Sequence, residues 1–338
     1  MAEHLDAEQW GDWWRNRSLT SFHGHFRHNY DGSLRLFWEE RFATLPRGAA
    51  ILDLATGNGA LALLAAEYSA THDRNFRITG IDYATIRPES LQEDHPLLAD
   101  IRFLGNTPME NTGLEDASQD LVMSQFGFEY GNMPATIREI RRLLRPGGCF
   151  SAMIHHRDSA VLEQAREALA QTKRCEKSTV TKTAAALVEL QQKLAREGSL
   201  DTQDQQRAQK LHHALASELD KLNRYARQLK DPSHVRMFTQ SIMVLFDRRN
   251  AARISPEQRL EAIDRLTTEN LGYRRRMKDL QGAALADKDF LTLKRLLEQQ
   301  HFASPDIRPQ EYANRHFCHT VSTCLPLGSG LSSPDPYP

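Results

Sequence analysis

Short apolar runs alternate with turn and helix-forming sequence between residues 50 and 156. The runs read ILDL, FRITGID, DIRFL, DLVMSQ and CFSAMIHH. Apolar runs of this length between turn residues are typical of strands buried on both faces of a parallel sheet. The sequence between them, such as ALALLAAEY and REIRRLL, has helical periodicity, so the pattern predicts an α/β fold.

The pattern changes after the fifth run and resumes near residue 289. Residues 290–302, FLTLKRLLEQQHF, place leucines on one face of a predicted helix, and ASPDIRPQEYA and RHFCHTVSTCLPL then read as an antiparallel hairpin. Residues 157–288 have almost no strand pattern. We expect three to five helices there, with breaks at 198–201 and near 231–232.

Two helices of that segment have recognisable features. Leucine and alanine recur at alternating spacings of four and three, which is the seam of an amphipathic or coiled-coil helix, at Leu215, Leu219, Leu222, Ala226 and Leu229. Another helix begins at Ser255, where Pro256 occupies the first helical position and Gln258 completes a capping box.

One segment, ILDLATGNGALALLAA, joins the first strand to a glycine-bearing turn and a helix. Gly57 and Gly59 let backbone approach a ligand where a Cβ would collide, and the helix N-terminus faces the bound group. Dinucleotide dehydrogenases carry a third glycine at the position of Ala62. The turn is also entered through Asp53 and Thr56, which suits a ligand with an ammonium group better than one with a pyrophosphate.

The DLATGNG pattern resembles motif I of the class I S-adenosylmethionine-dependent methyltransferases. The second run closes on Asp82, about 25 residues past the glycines, where a carboxylate can accept both ribose hydroxyls. FGFEY and RRLLRPGG are similar to segments of the ubiquinone and menaquinone methyltransferases, although Glu129-Tyr130 replaces their frequent Arg-Asn. The resemblance covers roughly residues 48 to 156. It implies a Rossmann-like sheet of seven strands, mostly parallel with the last strand antiparallel, and a mostly helical insertion.

The same resemblance implies S-adenosylmethionine as the cofactor and indicates which residues bind it. They lie in the turn, at the ends of the second and third strands, and after the fourth: Asp53, Ala55, Thr56, Gly57, Gly59, Asp82, Tyr83, Asn106, Thr107, Gln125 and Phe126. Asn106 stands where the family more often has Asp. Phe126 could contact the sulfonium through its ring face or could simply pack.

The sequence indicates less clearly which residues would bind the methyl acceptor. His155 and His156 occupy the carboxyl end of the fifth strand, the edge at which open α/β sheets bind ligands. They point to opposite faces, so at most one, His155 in preference, would line the pocket as a general base; both could instead bond backbone. Tyr130 is a further catalytic candidate and Glu129 a substrate-binding one, with a place on the surface favoured for both.

All four tryptophans fall before residue 40, beside three histidines. Such a segment, residues 1–47, is expected to form a helical cap over the cofactor. Trp14, His25 and Tyr30 are candidate acceptor-binding residues, and simple packing is the alternative. No acidic or cysteine residue is spaced with the three histidines as a metal ligand would be, so no metal is expected.

The length of the chain requires an insertion. A class I methyltransferase core needs roughly 200 residues, and this chain has 338. The core is assigned to residues 48–156 and 289–327, the insertion to 157–288, and a disordered tail to 328–338. We expect the insertion to be a lid over the acceptor pocket or a homodimer surface formed through its leucine seam.

Composition limits the remaining classes of function. The chain is 40% hydrophobic and 26% charged with a net charge of -1, and it has no eighteen-residue apolar run and no secretory N-terminus. These features predict a cytoplasmic protein without membrane contact. The four cysteines lack metal-ligand spacing and are interpreted as buried or incidental thiols. The basic run 274–276 is short, so nucleic-acid binding is not favoured.

The sequence therefore predicts an enzyme that transfers a methyl group from S-adenosylmethionine to a small organic acceptor. Oxygen is the favoured receiving atom, and catalysis would depend mainly on positioning for SN2 transfer. The alternatives are transfer to carbon or nitrogen, a macromolecular substrate docked on the insertion, and a noncatalytic cofactor-binding or scaffold protein assembled through the insertion.

Overall fold

The computed structural model describes residues 5–15, 18–22, 26, 28–247, 250 and 253–327. The chain divides into two compact units. The first comprises Met1–Glu163 and Leu280–Pro338, and the second is Gln164–Asp279. The tail predicted to be disordered, 328–338, lies outside the described residues.

The first unit is built on one sheet of seven strands in the order β3-β2-β1-β4-β5-β7-β6. Strands β1 to β5 run parallel, whereas β7 is antiparallel to both of its neighbours. This topology confirms the predicted Rossmann-like sheet with an antiparallel last strand. The strands are β1 Ala50–Leu54, β2 Arg77–Ile81, β3 Arg102–Leu104, β4 Gln119–Gln125, β5 Leu144–Ile154, β6 Asp306–Tyr312 and β7 Arg315–Cys324.

Helices flank the sheet and bury its apolar side chains. Those of the first unit are α1 Ala7–Trp14, α2 Gly32–Thr44, α3 Ala60–Thr71, α4 Met133–Leu143 and α10 Asp287–Gln299, while α5 Ala160–Lys177 runs from the first unit into the second. On one face, Ile137 and Ile140 of α4 and Leu293 of α10 are buried in a cluster with strand residues such as Val122. Such a core, with strands apolar on both faces, is what parallel sheets require.

Two boundaries differ from the sequence prediction. Pro146 and Gly147 lie inside β5 instead of forming a turn before it, because the strand is irregular where it pairs with β4 and Gly147 takes a positive φ of 79°. Helix α10 begins three residues earlier than predicted. Its start is fixed by Asp289, whose carboxylate accepts a hydrogen bond from the Ala286 N–H at 2.9 Å.

The hairpin of β6 and β7 contains a β-bulge. Gln310 pairs with Cys318, but the next residue, Glu311, pairs with His316, so Phe317 is an extra residue in β7. A bulge of this kind interrupts the strict alternation of side chains between the two faces of a sheet. His316 and His319 therefore share a face although they are three residues apart.

The interpretation of all four cysteines as thiols is wrong for two of them. Cys149 of β5 and Cys324 of β7 are directly opposite in the sheet and form a disulfide. The 175 residues that separate them in the chain hid this proximity. Cys175 and Cys318 are free and buried.

The described residues of the second unit form helices joined by short turns and contain no strand. Its helices are the rest of α5, α6 Val180–Glu197, α7 Thr202–Ala226, α8 Ser233–Phe246 and α9 Pro256–Ala283, of which residues 280–283 belong to the first unit. The predicted breaks are confirmed, since α7 begins after Asp201 and α8 after Pro232. The predicted capping box is also confirmed: the N–H groups of Ser255 and Gln258 donate to each other's side-chain oxygens at 2.9 and 3.2 Å.

The leucine seam of α7 faces the interior of this unit. Leu215, Leu222 and Ala226 are buried in its hydrophobic cluster, and Leu219 and Leu229 pack against it. The seam is thus occupied by neighbouring helices, and a homodimer through the insertion stays a prediction that would need another face. No helix in the described part of the chain combines the length and apolarity needed to cross a membrane.

Candidate active site

The glycine turn after β1 has the backbone conformation that its sequence predicts. Gly57 and Gly59 have φ values of +57° and +94°, a region that side chains other than glycine rarely occupy. A Cβ on Gly57 would lie 2.5 Å from the Trp14 ring. The turn is held to the preceding segment by Asn58, whose Nδ2 donates to the carbonyl oxygens of Trp14 at 3.0 Å and Ser18 at 2.9 Å.

Two carboxylates flank the turn and are buried. Asp53 accepts a hydrogen bond from the Thr56 hydroxyl at 2.6 Å, and Asp82 accepts from the N–H of Gly57 at 2.8 Å and that of Ala84 at 2.8 Å. Burial raises the pKa of Asp53 to about 7 and that of Asp82 to about 6. No Lys or Arg of the described chain contributes to either shift. The site therefore offers two acids that a bound cation would stabilise in their charged form.

The predicted adenine-side residues lie next to the end of β2. The Thr107 N–H donates to the carbonyl oxygen of Asp82 at 2.8 Å, and the Asn106 N–H donates to that of Ala84 at 3.1 Å. Asn106 has a φ of +53°. Tyr83 is 53% exposed, beside the buried Asp82. These backbone bonds hold the predicted cofactor-binding residues Asp82, Tyr83, Asn106 and Thr107 close together at one edge of the sheet.

The ends of β1 and β4 approach each other closely. Ala55 and Phe126 both adopt positive φ, at 53° and 59°, and a Cβ on Gly127 would lie 2.4 Å from the Ala55 Cβ. Backbone strain of this kind persists where the surrounding structure fixes it, often at ligand sites. Gln125 is positioned by the Trp38 indole, whose N–H donates to its side-chain oxygen at 2.5 Å.

Beyond Phe126, six aromatic rings gather at the carboxyl ends of the strands, and we call them the aromatic cluster. Phe22 contacts Phe126 with ring centroids 5.1 Å apart and Phe317 at 5.6 Å. Tyr30 contacts Phe26 at 5.0 Å, and its burial raises its pKa. The members are Phe22, Phe26, Tyr30, Phe126, Tyr312 and Phe317.

His155 borders the aromatic cluster. Its ring centroid lies 4.5 Å from that of Phe126 and 5.9 Å from that of Phe22. Burial lowers the pKa of His155 to about 3, so its imidazole is neutral at physiological pH. Its Nδ1 lies 3.5 Å from Glu129 Oε1 but forms no hydrogen bond.

Glu129 was expected on the surface, and this expectation is wrong. Its side chain is fully buried, and its Oε1 accepts a hydrogen bond from the His155 N–H at 2.8 Å. Its Oε2 has no hydrogen-bond partner, and burial raises its pKa to about 7. The sequence missed this burial because FGFEY predicted a loop, whereas 128–130 form one 3₁₀ turn against the end of β5.

Three other candidates lie elsewhere. The His156 ring lies on the opposite face of the sheet, 4.3 Å from that of His319, so we withdraw its catalytic assignment. Tyr130 contacts the Trp10 ring edge-on at 5.7 Å. Trp14 packs on the glycine turn, on the cofactor side of the site. His25 lies outside the described residues.

The sequence pattern pointed neither to Asn58 nor to most of the aromatic cluster. Asn58 stood between the two glycines of the turn, where a side chain with two donors could have been recognised. Phe22, Phe26 and Phe317 are far apart in the chain, and only the fold brings them to one edge of the sheet.

Comparison with known proteins agrees with this geometry. Residues 51–148 match the family described as "Methyltransferase domain". This match covers β1 to β4 and the start of β5, including the glycine turn and both buried acids. The chain carries a class I S-adenosylmethionine-dependent methyltransferase domain.

Relatives of the methyltransferase domain include the dimethylglycine N-methyltransferase of Parasynechococcus marenigrum (strain WH8102). This protein is 32% identical over 107 residues, which are 31% of this chain and 37% of that one. Similar solved structures include a putative sarcosine dimethylglycine methyltransferase from Galdieria sulphuraria. It is 18% identical, the match covers 55% of this chain and 80% of that one, and the TM-score is 0.32. Geranyl diphosphate C-methyltransferase from Streptomyces coelicolor A3(2) is 12% identical. This match covers 37% of this chain and 44% of that one, with a TM-score of 0.31.

The residues of the methyltransferase domain fit S-adenosylmethionine. Asp53 and Asp82 are buried without a basic partner in the described chain, which suits a cofactor that has a sulfonium and an ammonium group. The Trp14 ring packs directly against the backbone of Gly57, at 2.5 Å from where a Cβ would lie. Five rings of the aromatic cluster, and His155, lie outside the matched residues, whereas Phe126 lies inside them.

Proposed function

We propose that this chain methylates a small organic acceptor bound at the aromatic cluster, and that the receiving atom is an amine nitrogen. The observation that carries the proposal is one sheet edge at which buried acids surround the glycine turn and aromatic rings lie next to it. The chain covers 37% of the curated relative's length, so activity and substrate are inferences about this protein alone.

S-adenosylmethionine, when bound, supplies an activated methyl group on a sulfonium. Asp53 would hold the ammonium group of the cofactor and Asp82 its ribose hydroxyls. The positive φ values of Gly57 and Gly59 shape the turn that runs between these two acids. The aromatic rings exclude water and restrict the acceptor to orientations in which its lone pair can approach the methyl carbon, the main requirement of such a transfer.

His155 is a poor base for the oxygen acceptor that the sequence favoured. A hydroxyl acceptor needs a base whose pKa lies near the working pH. The pKa of His155 is lowered to about 3, far below that range. An unprotonated amine carries its own lone pair and needs no proton removed at this position.

The aromatic cluster supports a nitrogen acceptor. Ring faces stabilise cations, and quaternary ammonium groups are bound by aromatic cages. Phe22, Tyr30 and Phe126 lie within 6.5 Å of one another by ring centroid, so they could surround an alkylated nitrogen. The relative named dimethylglycine N-methyltransferase favours the same atom.

A matched acceptor panel tests the proposal. The purified full chain is incubated with methyl-labelled S-adenosylmethionine and pairs that differ in the acceptor atom, such as sarcosine or dimethylglycine against glycolate, and aniline against phenol. Product masses identify the atom. We expect labelled amines and no labelled alcohols or phenols.

Other results would refute specific parts. Transfer to the hydroxyl compounds alone would show that the nitrogen assignment is wrong. Label in protein, RNA or a carbon-methylated product would favour the alternative substrates. Cofactor binding without transfer to any compound or cell extract would favour a noncatalytic protein.

A pH profile gives a second test. At saturating S-adenosylmethionine, kcat/KM for the acceptor should rise with pH as the amine loses its proton, and no inflection near 6.5 should come from His155, because its ring stays neutral. His155→Gln should keep this profile, although its kcat falls because the ring that borders Phe126 is lost. An inflection near 6.5 that disappears in His155→Gln would establish His155 as a base.

A further inference from the structure

Three histidines meet on the face of the sheet opposite the aromatic cluster, and we call them the imidazole cluster. His156 follows β5, and His316 and His319 lie in β7. Their ring centroids are 4.3 to 5.0 Å apart, and one nitrogen from each ring lies within 4.8 Å of the others. His316 Nε2 and His319 Nδ1 are separated by 3.2 Å.

The fold brings these rings together through two devices. His156 and His155 are neighbours at the end of β5 and point to opposite faces. The extra residue Phe317 in β7 puts His316 on the same face as His319, and bulges often aim side chains at functional sites. The cluster is therefore a product of strand register and not of local sequence spacing.

A carboxylate completes the group. Asp287, the first residue of α10, has its Oδ1 3.0 Å from His156 Nε2, and its side chain is 88% exposed. The other nitrogen of His156 accepts a hydrogen bond from the Asp158 N–H at 3.2 Å. Nε2 therefore carries the ring proton and points at Asp287. A metal ion bound at Nε2 would shift that proton to Nδ1 and break the bond from the Asp158 N–H.

We propose that His156, His316, His319 and Asp287 bind one Zn²⁺ ion. Imidazole nitrogen and carboxylate oxygen are ordinary zinc ligands, and four of them satisfy its tetrahedral preference. Bonds of that type place neighbouring ligand nitrogens about 3.4 Å apart. The histidine nitrogens lie within 4.8 Å of one another, so a pair must close by up to about 1.4 Å to reach this spacing. Asp287 is exposed enough to move onto the ion and to leave an entry path.

This site differs from the one considered in the sequence. The N-terminal histidines lacked ligand partners, whereas the imidazole cluster uses residues from three separate parts of the chain. A bound ion would join the end of β5, the bulge of β7 and the start of α10. It would lie across the sheet from His155, so the inference is independent of the proposed methyl transfer.

Metal titration tests the site directly. The full chain is treated with chelator, dialysed and titrated with Zn²⁺ by calorimetry, and bound Zn²⁺ is measured by mass spectrometry of the metal. We expect one equivalent to bind, and Co²⁺ in its place to give the intense visible absorption of a tetrahedral site. His316→Gln and His319→Gln should weaken binding by about 100-fold, and Asp287→Asn by about 10-fold.

His212→Gln is the matched control, because it removes an exposed histidine of α7. It should bind Zn²⁺ as the native chain does, and circular dichroism of each variant checks that the fold is retained. Equal affinities in His319→Gln and His212→Gln would overturn the site, as would a native chain that binds less than one equivalent. Unchanged affinity in Asp287→Asn would overturn the fourth ligand. A Zn²⁺-dependent rise in Tm that is lost in His319→Gln would support the site even if that variant is less stable.

Discussion

Glu129 accepts a hydrogen bond from the backbone N–H of His155 at 2.8 Å, and this bond joins the loop after β4 to the end of β5. The second carboxylate oxygen of Glu129 has no partner. A carboxyl group buried in this way is favoured in its protonated form. The ends of β4 and β5 are thus held together by the Glu129 carboxyl group, whose ionised form is unfavourable in this buried position.

Glu129→Gln should change how stability depends on pH. The pKa of Glu129 is raised from 4.5 to about 7, so the folded chain holds this proton to higher pH than the unfolded chain. The stabilising effect is complete below pH 4.5 and is lost as pH rises through about 7, a change on the order of 3 kcal/mol. Glutamine keeps an acceptor oxygen but does not titrate.

Urea unfolding at several pH values measures this effect. Between pH 5 and pH 8, the native chain should lose more of its free energy of unfolding than Glu129→Gln does. Glu115→Gln, at an exposed acid, should follow the native profile. Parallel curves for the native chain and Glu129→Gln would contradict the assigned pKa shift.

Cofactor affinity should increase with pH. Burial raises the pKa of Asp53 to about 7, and a bound ammonium group favours its ionised form, so binding below pH 7 releases a proton. The Kd for S-adenosylmethionine should fall by up to about tenfold per pH unit below pH 7 and level off above it. Calorimetry from pH 5.5 to 8.5 measures the change.

Asp53→Asn should bind the cofactor weakly, with only the residual pH dependence of Asp82. Asp100→Asn, which changes an exposed acid, should bind like the native chain. A native Kd that does not vary with pH would show that Asp53 does not meet the ammonium group.

Gly57→Ala should cost more than the same change at Gly113. Both glycines have positive φ, at 57° and 68°, but a Cβ at Gly57 would meet Trp14 at 2.5 Å while Gly113 has open space around it. Each variant should lose about 1–2 kcal/mol from the left-handed backbone, and Gly57→Ala should lose more because the Trp14 ring must shift. Thermal unfolding measures the difference, and cofactor binding should fail in Gly57→Ala alone. Equal effects of the two changes would show that Trp14 does not pack on the turn.

Reduction of the disulfide should destabilise the first unit. Cys149 and Cys324 close a loop of 175 residues, and the chain-entropy estimate for such a loop is up to about 5 kcal/mol. Dithiothreitol should lower the Tm of the native chain and leave the double variant Cys149→Ala, Cys324→Ala unchanged. If the reductant shifted both proteins equally, its target would be a different group.

The sequence predicted the sheet and the glycine turn well because their signals are local. A buried strand, a glycine turn and an acid about 25 residues later lie within one βαβ unit, so short-range pattern and backbone geometry agree. The opposite orientation of His155 and His156 also followed from the alternation of side chains along a strand.

The aromatic cluster and the surroundings of Glu129 depend on packing between distant segments. Phe22 and Phe317 meet although almost the whole chain lies between them, and Cys149 bonds to Cys324 across the sheet. The burial of Glu129 depends on the turn that contains it and on the end of β5. No local periodicity encodes these contacts, which explains why the surface position of Glu129 and the free thiols were misjudged.

Phe317 is one residue more than regular pairing of β6 and β7 would accommodate. In a strand without the bulge, the His316 side chain would lie on the same face of the sheet as the aromatic cluster. The Phe317 side chain would lie on the face that carries His319. Two adjacent side chains thus serve opposite sides of the protein only because of a length difference in one hairpin. A related chain with one residue more or fewer in this hairpin would present different side chains on both faces of the sheet, even if every other residue were the same.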